Sequence, residues 1–365
     1  MPVLIRTTAE LLVRLPALAG APSIALDTEF HPEKYYTPRL MLVQLRPAGR
    51  EALLIDALAD VDLRPLGPIL SATTLLVHGG AADLSLLHLH AGASPTKVID
   101  TQLAAAFCGM GWPRRLQDLV HLALGRTLTK QETLSDWSRR PLSPDQLRYA
   151  ADDVEGLHEL VAALLERITQ LGNLAWFEAA QAEAVATALK PPPPEDAWRR
   201  VPGAHLLSDR ERAALQALAA WRQERAIAAD IPLNHVVADA VMFDLARRRP
   251  TTVEELRENR RMPSNVWKQA GDAVLAALRE AERAPPPSPL RRGSRCDALR
   301  LGARIVAAAS GMEGDLLLND CELDYILGGT RSKSWRRQAL GPVFDEFVAG
   351  TRWIDGNGTL ISAPI

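Results

Sequence analysis

Over the first 155 residues, short apolar runs alternate with amphipathic stretches. SIALDTEF, RLMLVQL, ALLIDAL, TTLLVHG and KVID have the length and composition of strands, whereas TAELLVRLPALA, AADLSLLHLHAG and RRLQDLVHLAL repeat their apolar positions at helical spacing. The early strands are joined by short turns such as Pro47-Ala48-Gly49, which favours antiparallel pairing, and the later ones alternate with helices, which favours parallel pairing. The pattern predicts an α/β domain with a mixed sheet flanked by helices.

After Pro144 the pattern turns helical, through PDQLRYAADDVEGLHELVAALLERITQLG and NLAWFEAAQAEAVATALK, and stops at the four prolines Pro191 to Pro194. Four prolines cannot continue a helix and form a stiff, extended linker, so the first domain is expected to span 1–190. Beyond them Ser208 with Glu211, and Thr251 with Glu254, have the spacing of capping boxes ahead of apolar-periodic runs. This predicts an all-α bundle over 204–283. A second proline-rich stretch, Pro285 to Pro289, sets off 290–365, where GDLLLNDCELDYILGG and SWRRQALGPVFDEFV suggest a second, diverged copy of the helical module.

Bulk properties narrow the classes. The 365 residues are 47% apolar, enough for two or three cores. There is no secretory leader pattern and no run of about 18 apolar residues, so a cytoplasmic protein without a membrane partner is expected, and nothing demands more than a monomer. Cys108, Cys296 and Cys321 are too scattered for a disulfide framework or a Cys-x-x-Cys metal site. The formal charge of −2 excludes a uniformly basic nucleic-acid binder, yet it is unevenly spread: 25 Lys+Arg against 23 Asp+Glu from residue 191 onward, 17 against 21 before it.

Three acidic positions carry candidate chemistry. In Leu26-Asp27-Thr28-Glu29-Phe30 the two carboxylates are two apart in a strand and share a face, where a hard divalent cation would offset their repulsion. In Val77-His78-Gly79-Gly80-Ala81-Ala82-Asp83 a strand passes through two glycines into a helix whose first turn holds Asp83. In Tyr149-Ala150-Ala151-Asp152-Asp153, residues 149 and 153 lie one helical turn apart, while Asp152 is rotated away by about 100°. Each string alone is equally consistent with a solvated strand end or an ordinary helix start. No Ser/His/Asp or Cys/His arrangement suggests a covalent nucleophile.

Taken in this order, the strings resemble the DEDDy group of 3′→5′ exonucleases, which have a ribonuclease H-like fold. LGRTLTKQETLSDWSRRPLSPDQLRYAADDV (124–154) and IDTQLAAAF (99–107) resemble the ribonuclease D family. The resemblance implies that Asp27, Glu29, Asp83 and Asp153 hold two divalent ions, Mg²⁺ or Mn²⁺, and that Tyr149 orients the attacking water. Two ions about 3.5–4 Å apart can stabilise the entering and leaving oxygens of an in-line displacement at phosphorus. Phe30 and Gln44 are candidates for contact with the terminal nucleotide, Asp100 for support of the site, and His78 for a structural role. The activity implied is 3′→5′ exoribonuclease, releasing nucleoside 5′-monophosphates from structured RNA, with tRNA precursors as the substrate class.

The segment SDRERAALQALAAWRQERAIAADIPLNHVVADAVMFDLARRRPTTVEELREN resembles an HRDC domain, through Trp221-Arg222, Pro232-Leu233-Asn234 and Pro250-Thr251-Thr252. Such modules bind nucleic acid, which makes Arg247, Arg248, Arg249, Arg260, Arg261 and the run from Arg331 to Arg337, with Arg336 and Arg337, candidate phosphate contacts. The same arginines could instead be solvated helix ends. Two further readings stay open at this stage: an exonuclease directed at DNA, and a nucleic-acid-binding scaffold without turnover.

Overall fold

The computed structural model describes residues 2–31, 34–127, 136–190, 193–287, 293–328, 333–355 and 359–362. Pro191, Pro192, Pro289, Arg331 and the middle of the 124–154 string lie outside the described residues. The chain divides into two compact units: Met1–Phe30, Leu40–Lys190 and Gly293–Ile365 form one, and His31–Arg39 with Pro191–Arg292 form the other.

The first unit is built on a six-stranded sheet of β1 (Val3–Thr7), β2 (Ser23–His31), β3 (Arg39–Pro47), β4 (Leu53–Asp60), β5 (Thr74–Val77) and β6 (Val98–Asp100), ordered β1-β4-β3-β2-β5-β6. Strands β3 and β4 are antiparallel, β1 runs parallel to β4, and β5 is parallel to both β2 and β6, so the sheet is mixed as the loop lengths predicted. Strand β1 was not foreseen. Only Ile5 of its five residues is buried, so it shows no alternation, and its pairing of Val3, Leu4 and Ile5 with Leu53, Leu54 and Ile55 is a long-range matter.

One face of the sheet packs against α1 (Thr8–Ala19), α2 (Leu66–Ala72) and α3 (Ala81–Ala91), with Leu11, Leu18, Leu66, Leu70 and Leu87 buried on Ile24, Leu26, Val43 and Leu75. The other face carries α4 (Thr101–Ala106), α5 (Leu116–Leu124), α6 (Pro144–Glu155), α7 (Leu157–Gln170) and α8 (Leu174–Ala188). The helical run after Pro144 is interrupted at Gly156, the weakest helix former within it.

The second unit is all-α: a 3₁₀ helix at Pro194–Arg200, then α9 (Asp209–Ala229), α10 (Leu233–Val236), α11 (Asp239–Arg248), α12 (Val253–Glu258) and α13 (Ser264–Ala281). Its core gathers Trp198, Leu215, Leu218, Met242, Leu245, Leu256 and Val274. The Ser208–Glu211 capping box forms as expected. The one expected at Thr251 and Glu254 is displaced by a residue: α12 starts at Val253, so Thr252 accepts from the Glu255 N–H (3.3 Å) and the Glu255 carboxylate accepts from Thr251 N–H (2.7 Å). In the same unit, Thr37 N–H donates to Asp230 (3.2 Å) and Tyr36 packs on the bundle core.

The chain then returns to the first unit as α14 (Ser294–Ala309), α15 (Asp320–Leu327) and α16 (Trp335–Val348), ending in a hairpin of β7 (Arg352–Ile354) and β8 (Leu360–Ser362). This segment differs from the expected independent module, because its apolar residues do not close on one another. Leu299, Ala303, Leu317, Leu340 and Phe344 share one core with Phe107, Leu164 and Phe177. Phe107 lies 5.7 Å from Phe177 and 5.3 Å from Trp335, and Asn173 donates to the carbonyls of both Phe107 (3.2 Å) and Ser310 (2.9 Å).

Candidate active site

The site forms where the end of β2 meets α6. Alternation along β2 puts Asp27 and Glu29 on one face and Thr28 and Phe30 on the other. Helix α6 is fixed at its start by Ser143, which accepts from the Gln146 N–H in a capping box, with Pro144 in the first turn. Two turns further on it delivers Asp153 to the two strand carboxylates. One oxygen of each of Asp27, Glu29 and Asp153 lies within 4.8 Å of the others. Tyr149, one turn before Asp153, donates its hydroxyl hydrogen to the Asp153 carboxylate.

The fourth acid comes from the turn between β5 and α3. Gly79 has φ +67°, and a Cβ on Gly80 would lie 2.6 Å from that of Val77, so the turn requires both glycines. Asp100 locks it: its carboxylate accepts from the N–H groups of Gly79 (2.8 Å), Gly80 (3.2 Å) and Gln102 (2.8 Å), which also caps α4. His78 is structural, bonded to Thr101 Oγ1 (2.8 Å) and the Arg114 carbonyl (3.0 Å). Asp83 is buried and accepts from the Thr28 hydroxyl. It stands beside the trio, close enough for its charge to act on Asp27 and Glu29.

All four acids are held more basic than free carboxyls. Burial, then Asp83, Asp153 and Glu29, push Asp27 well above the carboxylate range. Burial, then Asp153 and Asp83, push Glu29 up to about 8. Burial raises Asp153 to about 7 against the pull of the Tyr149 hydroxyl, and Asp83 to about 6 against that of Thr28. Burial and the neighbouring acids raise the Tyr149 phenol. One buried and three partly buried oxygen-donor groups, drawn together, fit hard divalent cations, whose charge reverses the penalty.

The remaining candidates divide. Phe30 is half-buried against the core beneath α1 to α3, on the strand face opposite Asp27 and Glu29. Gln44 is fully buried, with neither amide atom paired. Asp152 feels Glu155 and Arg148 and is not in the trio. Arg336 and Arg337 are committed elsewhere: Arg336 bonds Glu183 (2.5 Å) and the Leu316 carbonyl (3.1 Å) and stacks on Trp335, while Arg337 pairs with Asp345. Arg222 is buried on Asp239 (2.8 Å) and the Val237 carbonyl (2.9 Å). By contrast Arg260 and Arg261 are exposed, and Arg247 and Arg248 are largely so, with Asp244 3.0 Å from Arg248. Sequence reasoning missed Thr28, although it sits between two singled-out acids, because its partner is 55 residues away.

Known proteins place this arrangement. The 3′-5′ exonuclease family model matches residues 2–169, and the HRDC domain model matches 211–278. A ribonuclease D of Acidiphilium cryptum is 35% identical, with 93% of this chain and 92% of that protein covered. One of Pseudomonas paraeruginosa is 32% identical over 92% and 95%. Among solved structures, Escherichia coli RNase D, described as an exoribonuclease involved in structured RNA processing, superposes with a TM-score of 0.81 at 29% identity, covering 96% of this chain and 99% of that one. The exonuclease family is divalent-metal dependent, in keeping with the clustered acids. In both sequence and fold, this chain belongs to the ribonuclease D family of 3′→5′ exoribonucleases.

Proposed function

We propose that the chain removes nucleoside 5′-monophosphates one at a time from the 3′ end of structured RNA, precursor tRNA being the substrate class, and that it works as a cytoplasmic monomer. The convergence of Asp27, Glu29 and Asp153, with Asp83 beside them, carries this reading. These four carboxylates would hold two divalent ions, Mg²⁺ or Mn²⁺. When bound, the ions supply positive charge for the entering and leaving oxygens of an in-line displacement at phosphorus.

The protein's own contribution is positional. Tyr149, its hydroxyl fixed on Asp153, orients the water that attacks the terminal phosphodiester. The bond from phosphorus to the 3′ oxygen of the penultimate nucleotide breaks, the freed oxygen takes a proton, and no covalent enzyme intermediate is needed. Thr28 holds the Asp83 carboxylate in place from the opposite face of β2. Exposed Arg247, Arg248, Arg260 and Arg261 of the helical unit, whose domain core we take as 204–283, offer phosphate contacts that add affinity for RNA. Residues 290–365 are read as a diverged second helical module, fused to the 1–190 domain through its core.

The test is incubation of the protein with a 3′-extended tRNA and a DNA strand of the same sequence, with Mg²⁺, Mn²⁺ or chelator, products being read at single-nucleotide resolution. A metal-dependent ladder from the RNA 3′ end supports the reading. Degradation confined to DNA would overturn the substrate, and intact nucleic acid bound under every condition would leave a scaffold.

A further inference from the structure

Tyr149 stands in α6, whose start is capped by Ser143, and the segment just before that helix is held with unusual completeness. Arg140 donates through Nε to Asp56 Oδ2 (2.7 Å), through Nη2 to Asp56 Oδ1 (2.7 Å) and the Met41 carbonyl (3.0 Å), and through Nη1 to the carbonyls of Trp137 (2.7 Å) and Arg139 (2.8 Å). A guanidinium has five N–H donors in a rigid fork, and here each one is taken. Asp56 is buried on β4 opposite Leu42 of β3, so this one side chain ties both strands to the turn that carries Trp137.

Trp137 is the result of that tie. It is 5% exposed, in a small core with Met41, Leu42, Leu54, Leu142 and Ala150, and its ring lies 6.1 Å from that of Tyr149 at a tilt of 44°. The hydroxyl end of Tyr149 is set by Asp153 and the flank of its ring by Trp137. An aromatic side chain held at both places keeps one rotamer, whereas a phenol held only by its hydroxyl can pivot about χ1 and χ2.

We propose that Trp137 and Arg140 are positioning residues for the reaction: Arg140 pins the Trp137 turn to β3 and β4, and Trp137 walls the phenol of Tyr149 into the orientation that places the attacking water. This rests on the reading of Tyr149 as the water-orienting group. The indole and the guanidinium themselves touch neither substrate nor metal.

The test is a double-mutant cycle on the full chain, measuring single-turnover cleavage of a 3′-extended tRNA at saturating Mg²⁺. Mn²⁺ binding, RNA affinity and thermal midpoint are followed in each variant. Trp137→Leu is expected to slow cleavage about tenfold or more with RNA affinity and Mn²⁺ stoichiometry unchanged, because misplacing a reacting group costs rate rather than binding. Trp137→Phe, which keeps a ring, recovers most of that loss. In a Tyr149→Phe background Trp137→Leu costs nothing further, since its whole effect passes through the phenol. Arg140→Lys, which keeps the charge but cannot fill all five acceptors, gives the same pattern and serves if Trp137→Leu folds poorly.

The same fold-loss from Trp137→Leu in both backgrounds would overturn the proposal while leaving Tyr149 in its role, as would cleavage at the full rate in Trp137→Leu. Full rate in Tyr149→Phe would sink the reading of Tyr149 itself, and the proposal with it.

Discussion

The acids of the first unit and the arginines of the second are both clusters of like charge, and they differ in what surrounds them. Asp83 is 6% exposed and its three companions are partly buried; desolvation holds each in the protonated direction, and Asp27 and Glu29 are pushed further by the other acids. Arg247 has a side chain 63% exposed, and Arg248 pairs with an acid one turn back on its own helix. Burying unbalanced charge opposes folding, so a chain that does it at four converging positions has a use for a counter-charge. An exposed arginine at a helix end costs almost nothing and says correspondingly little about function.

The largest effect expected from this contrast is at the acids. Asp153→Ala or Asp27→Ala lowers the cleavage rate on the order of 10³-fold or more, with circular dichroism and RNA affinity retained, because charge stabilisation at the reacting phosphate is lost. Residual activity within tenfold of the parent would break the comparison.

Next comes the linkage of stability to pH in chelator. Each of these carboxyls binds its proton more tightly folded than unfolded, with Asp83, Asp153 and Glu29 raised to about 6, 7 and 8. Between the ordinary carboxylate range and about 8 the folded chain therefore holds more protons than the unfolded one, and the stability these groups contribute is lost as pH rises through that window. The melting temperature in chelator should fall across it, Mg²⁺ should restore most at the alkaline end, and Glu29→Gln should flatten the slope. A melting curve indifferent to Mg²⁺ at pH 8 would contradict the cation reading.

A smaller effect belongs to Thr28. Replacing it by valine removes one hydrogen bond to a carboxylate, worth about 1.5–3 kcal/mol, so about tenfold loss of rate and a higher Mg²⁺ requirement are expected. The smallest effects separate the arginines among themselves. Removing Arg260 or Arg261 should weaken RNA binding a few-fold and lower the salt-dependence slope by about one per lost phosphate contact. Arg336→Ala should leave RNA binding unchanged and cost about 1 kcal/mol or less of stability, seen as a lower melting temperature, since its partner Glu183 is half exposed.

How much of this was legible in the sequence follows from the range of the interactions. Local patterns carried β2 to β6, most helices and the Ser208 cap, because strand alternation and capping boxes are written within a few residues. The pairing of Asp27 with Glu29 was readable for the same reason. What joins Asp27 to Asp153 or Thr28 to Asp83 is tertiary, and only the family resemblance brought those acids together. Strand β1 escaped because an edge strand with one buried residue has no pattern to show. Prolines at 285–289 marked a break in the chain but not in the core: Phe107 and Phe177 await partners that arrive in α14 and α16. The full burial of Gln44, a candidate for contact with the terminal nucleotide, was not legible because burial of a lone amide is not expressed in its neighbours.

That shared core has a consequence for biosynthesis. The helical unit between 193 and 287 is an excursion inside a nuclease unit whose last layer, α14 to α16, is translated after it. The nascent chain on the ribosome therefore displays a complete HRDC unit while the apolar flank formed by Phe107, Leu164 and Phe177 is still uncovered. The order of synthesis delays completion of the degradative half until α16 has emerged. A stalled or prematurely terminated chain leaves an open core that chaperones and proteases recognise, in place of a finished ribonuclease.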